Sequence, residues 1–221
     1  MFVNHSSIRF NRVLIAAVAS FIVVGPARAQ SDSDTSWRHV RDQIYRDAIQ
    51  PRLWHDTTAV SQYPDWETIR AAVTAKYGKV HADRAILDAQ IGWYQELQDW
   101  PVAVRRSVEK MDRYGVDTAD AFPINNMTWD IVFEHATDPA DLSKAVRWMA
   151  LVVRAQPKEP ANLDTYANLL YKLGRTREAL PLEEKAVALG AGRRDSSDFI
   201  GSLAKMKRGV PTWEAGSAGK P

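Results

Sequence analysis

Residues 162–191 read NLDTYANLLYKLGRTREALPLEEKAVALGA, and residues 128–157 read TWDIVFEHATDPADLSKAVRWMALVVRAQP. Set 34 residues apart, Asp130 meets Asp164, Ala145 meets Ala179 and Pro157 meets Ala191. Each stretch has the pattern of two helices around one short turn. In the second, helices over 162–173 and 176–189 flank Gly174. Ala167, Ala179 and Ala186 put short side chains where the two helix axes must approach. In the first, helices over 126–137 and 141–155 keep Ala145 at that crossing, but Phe133 stands where a small residue is needed. That predicts a splayed hairpin.

Working outward, the spacing recurs. Asp65-Trp66 and Asp99-Trp100 also lie 34 residues apart, each leading into a helix. Aligning Ala103 with Ala145 makes 84–114 a third hairpin, with Gly115–Pro123 as an insertion before the next unit. Apolar residues at three- and four-residue steps mark the remaining helices. Trp37, Val40, Ile44 and Ala48 form one such face, which Pro51 should stop. Trp66, Ile69, Val73 and Tyr77 form another, closed by Gly78. Phe199, Leu203 and Met206 share a face over 195–207. No segment alternates with period two over a strand's length, so the chain reads as all-α, with about nine helices after residue 36.

Thirty-four residues is the period of the tetratricopeptide repeat (TPR), and the 162–191 unit resembles that family closely. Trp129, Ala145 and Pro157 carry the resemblance into the preceding unit, while Glu183 departs from it where an aromatic residue is usual. The string LDTYANLLYKLGR…EAL…EEKAV, preceded by NNMTWDIVFEHATD, also looks like the helical TPR-type region of some bacterial envelope thioredoxin-family proteins. It would cover roughly residues 65–207, without their thioredoxin domain. The resemblance implies a right-handed superhelical array of antiparallel helix hairpins, an α-solenoid. Repeats near 84–114, 126–159 and 160–193 would make up 78–193. Residues 37–77 would cover one end, a helix within 194–208 the other, and 209–221 would form a flexible tail. About three stacked units are needed because none buries its own apolar face.

The first 29 residues read as an address. Arg9 and Arg12 precede an uncharged run, Val13–Val24, and Ala27-Arg28-Ala29 is an A-x-A cleavage signal. The run is too short for a spanning helix, which needs about 20 residues. Cleavage after Ala29, followed by a polar linker over 30–36, predicts export to a periplasm with no stable membrane insertion. The whole chain carries 29 Lys+Arg against 27 Asp+Glu, so its charge offers no electrostatic ground for a nucleic-acid partner. It has no cysteine, which excludes disulfides, thiolate metal sites and a CxxC redox centre.

Catalytic signatures are sparse. His39, His55, His81 and His135 are never paired one helical turn apart, and neither HExxH, a P-loop nor a GxSxG elbow occurs. The reading is therefore of a non-enzyme with no cofactor and no metal. A hydrolase built on Glu134, His135 and Asp138 is disfavoured, because neighbours on a helix point about 100° apart. Asp141 reads as a helix cap.

In a TPR-type stack the first helix of each hairpin lines the concave face. The corresponding positions hold Asp88, Asp130 and Asp164, then Glu134 and Asn168 one turn on, then Tyr171, with Lys172 beside it. Acids there favour a basic or polar peptide through charge complementarity. The same acids would also suit any helix N-terminus. The leading expectation is thus a protein–protein interaction module, a periplasmic adapter or scaffold. Alternatives are a receptor for a small ligand or cell-wall fragment, using Trp93, Tyr94 and Tyr171, or an accessory to envelope thiol-redox proteins. Trp213 reads either as a docking handle or as a residue folded back on the last repeat.

Overall fold

Asp65 and Asp99 do the same job 34 residues apart: each caps the helix that follows. The Asp65 carboxylate accepts from the backbone N–H groups of Glu67 and Thr68 at 3.2 and 3.1 Å. That of Asp99 accepts from Val102 N–H at 3.4 Å. In each case the tryptophan is the first helical residue. Side-chain oxygens suit this place because the first backbone N–H groups of a helix have no partner within it.

The computed structural model describes residues 32–53 and 64–213, with side chains from Trp37 onward. Among these residues there is no strand, and the molecule is all-α. Helix α1 comprises Asp32–Ile44, a π-helical turn Tyr45–Ile49 and Gln50–Leu53. Then come α2 (Trp66–Tyr77), α3 (Lys79–Glu96) and α4 (Trp100–Tyr114). Helix α5 comprises Ala121–Met127 and a π-helical turn Thr128–Phe133, running on through 134–135. The last four are α6 (Pro139–Ala155), α7 (Pro160–Lys172), α8 (Thr176–Gly190) and α9 (Ser196–Lys207). No helix among the described residues is long and apolar enough to cross a membrane. Residues 1–29, where an export signal is expected, the segment 54–63 and the tail beyond Trp213 lie outside the described residues.

Consecutive helices pack on one another, most extensively α7 on α8, then α3 on α4. In the α7–α8 hairpin Ala167, Ala179 and Ala186 are fully enclosed, as their short side chains require. The turn between them runs through Gly174 at φ +76°, a backbone conformation that favours glycine. At the far end of α8, a Cβ on Gly190 would lie 2.6 Å from the Phe199 ring, so this glycine lets α9 close over the hairpin. The α5–α6 hairpin packs along less of its length. Phe133, fully buried, fills the crossing where a small residue would bring the axes together.

The helix boundaries differ from the periodicity in three places. Helix α1 begins at Asp32, inside the segment read as a polar linker, because a polar first turn leaves no apolar period to detect. It also runs through Pro51 to Leu53. The π-turn shifts the hydrogen-bond register just before the proline, with Gln50 N–H donating to Tyr45 O. Arg52 Nη1 covers the Ala48 carbonyl at 2.8 Å. Helix α5 begins at Ala121, so Pro123 lies in its first turn, where a missing N–H costs nothing.

Two apolar clusters result. One gathers Ile44, Ala48, Ile49, Ile69, Val73, Ala82 and Ile86 from α1, α2 and the first half of α3. The other runs from Ile91 on the second half of α3 through α4–α8 to Met206 on α9. Helix α3 belongs to both.

Candidate functional site

The seven residues expected on one face are distributed over three settings. Asp88, on α3, makes an ion pair with Lys110 of α4 at 2.8 Å and stands apart from the rest. Asp164 and Asn168 are inside the molecule. Asn168 Nδ2 donates to the Asp164 carbonyl and to its Oδ1, both at 2.9 Å. Asp130, Glu134, Tyr171 and Lys172 remain on α5 and the end of α7.

The enclosed pair has its own chemistry. Glu183 of α8 is 0% exposed, and neither of its carboxyl oxygens has a donor among the described residues. Burial pushes its carboxyl far above the usual range, and the neighbouring Asp164 carboxyl pushes it further. Burial also raises Asp164, opposed by hydrogen bonds with Glu183, Ser202 and Asn168, while the charge of Asp198 adds to the rise. Two enclosed carboxyls can be satisfied together when one keeps its proton and donates to the other. Glu183, raised the more strongly of the two, is the one that keeps its proton. The residue that breaks the repeat pattern at an aromatic position is therefore half of a carboxyl pair joining α7 to α8.

On the outer side, Lys172 is the centre of an aromatic cluster. Its ammonium donates to the Phe133 carbonyl and lies 5.3 Å from the Phe133 ring and 5.5 Å from that of Trp213. Burial lowers its pKa, and the charge of Glu134 opposes that shift. Trp213 meets Phe133 edge-on at 6.4 Å and Tyr171 at 6.2 Å. Trp129 tilts against Phe133 at 4.6 Å. Tyr171 donates its hydroxyl proton to the Val210 carbonyl at 3.0 Å. The segment after α9 thus folds back over α5 and α7, where the Tyr171 hydroxyl holds the Val210 carbonyl and Trp213 packs on the rings. Asp130 and Glu134 lie one turn apart on α5 and so share a face. Asp130 is exposed, yet enough protein surrounds its carboxyl to raise its pKa.

The other candidate groupings are placed as follows. His135 stacks on Trp100, ring centres 3.6 Å apart and nearly parallel. Asp138 caps α6, accepting from Ala140 N–H at 2.8 Å. The cap is therefore Asp138 and not Asp141, because Pro139 occupies the first helical position, where its fixed φ and missing N–H are best placed. Trp93 and Tyr94 pack on Trp66, each 6.4 Å away, whereas Tyr171 sits with Trp213. The Trp213 cluster was missed from sequence apart from the fold-back reading itself. Its one legible signal was an isolated tryptophan beyond Pro211. No protein-family model, curated protein or solved structure matches the chain.

Proposed function

We propose that this chain is an exported, non-catalytic module of the TPR type. Its hairpins form a superhelical array that holds a peptide or protein partner on the face made by α5 and α7. The observation that carries the reading is how the chain's own segment 210–213 lies there. A main-chain carbonyl is held by Tyr171, and an indole lies against Phe133, Tyr171 and Lys172. A backbone hydrogen bond combined with one buried aromatic anchor is how extended peptides are commonly gripped. Asp130 and Glu134 on the same helix favour basic residues flanking the anchor. Export rests on the sequence of residues 1–29.

The test uses purified protein and a fluorescent peptide carrying one tryptophan between two lysines. Trp213→Ala should bind the peptide about tenfold more tightly than the parent by vacating the face, since removing a competing segment restores the competent population. Adding Asp130→Asn and Glu134→Gln should reverse that gain. Equal binding by all three proteins would sink this face as the partner site.

A further inference from the structure

At the other end of the helix array, Arg84 lies in a half-open pocket of about 250 Å³ lined by Trp37, Val40, Val80, His81, Arg84 and Tyr114. Its guanidinium carbon is 4.3 Å from the Trp37 ring centre and 5.3 Å from that of Tyr114. Trp37 also stacks on His81 at 5.9 Å, and His81 is anchored by its Nδ1–H donating to the Tyr77 carbonyl at 3.0 Å. The pocket therefore joins α1, α3 and the last residue of α4 around one cation.

The nearby carboxylates are already engaged elsewhere. Asp83 is paired with both Arg70 and Lys79, each at 2.5 Å. Asp88 is paired with Lys110. On α1, Arg41 holds Asp42, and Arg38 holds Asp120. Arg84 has no hydrogen bond or ion pair to any described residue, and its Nε is buried with its N–H unspent. A stacked guanidinium keeps its in-plane donors, and that planar fork matches a carboxylate or phosphate. The aromatic rings and the two valines offer a flat, apolar wall beside it. The volume is just below the range of about 300–1,000 Å³ typical of drug-sized ligands, so the occupant is small.

We propose that this pocket binds a small anion carried on a flat apolar body, an aryl phosphate or aryl carboxylate. The site is separate from the α5–α7 face and stands or falls independently of the peptide reading.

Calorimetric titration of the purified protein with phenyl phosphate, benzoate, inorganic phosphate and phenol tests it. Phenyl phosphate or benzoate should bind with one-to-one stoichiometry. Inorganic phosphate and phenol, each lacking one half of the recognition, should bind at least about tenfold more weakly. Arg84→Gln should weaken the aryl anion by at least about tenfold. Because that change also removes the stack on Trp37, Val80→Glu provides a second variant. Val80 is 77% exposed, so this variant should keep its melting temperature while setting a like charge at the pocket mouth. No heat from either aryl anion up to about 10 mM, a range in which a millimolar site would show, would overturn the proposal. So would unchanged affinity in the Val80→Glu variant, or inorganic phosphate binding as tightly as phenyl phosphate.

Discussion

A carboxyl shut away from water and from cations stays neutral, and that governs how Glu183 couples this molecule to pH. In the unfolded chain Glu183 and Asp164 release their protons near the ordinary value of about 4. In the folded protein both are raised, Glu183 the more, chiefly by burial. Above pH 4 the folded state therefore binds more protons than the unfolded one, and stability falls as pH rises towards the folded values. Glu183→Gln keeps the shape, removes the ionisable group and supplies an amide donor to Asp164. Its melting midpoint at pH 8 should exceed the parent's by about 2–4 °C, the effect of roughly 1 kcal/mol in a chain of this size. The difference should shrink towards pH 5; a parallel pH profile in the two proteins would remove the shared proton. Sequence marked Glu183 only as a departure from a repeat. Its pairing with Asp164 was not legible, because it depends on how α7 turns against α8.

At the scale of elements, turns were more readable than caps: Asp141 reads as the cap of α6, and Asp138 supplies it. Asp65, Asp99 and Asp138 each precede a helix and each accept from its first N–H groups. Removing one oxygen acceptor is expected to cost about 1 kcal/mol. Asp138→Ala should thus lower the melting midpoint by about 2–4 °C, measured by circular dichroism at 222 nm. A loss several times larger would show that Asp138 does more than cap α6. The two π-turns were not readable. Each adds one residue to a helical turn without changing the apolar spacing enough to announce itself. Thr128–Phe133 is one of them, and it carries the bulky Phe133 that meets Trp213 and Lys172.

Over the whole molecule, stability is divided between two apolar clusters that share helix α3. Helical arrays open in units, with free energies set by local burial. Ile86 is fully enclosed in the cluster built by α1, α2 and α3. Ile86→Ala should cost about 2–5 kcal/mol there. Native-state hydrogen exchange should then quicken in α1–α3, while α7 and α8 keep their protection. Uniform loss across the chain would mean that the array unfolds as one unit. The sequence by itself determined that the described chain is helical and where most helices begin, because apolar period and turn residues are local properties. It also marked the alanines of the α7–α8 crossing, since only short side chains let axes approach. The tertiary structure alone decided that Asp164 and Asn168 are enclosed, that Trp213 meets Tyr171 edge-on, and that Arg84 lies close to both the Trp37 and Tyr114 rings. Those facts depend on rotation of each helix about its axis and on pairs far apart in the chain, neither of which a local pattern records.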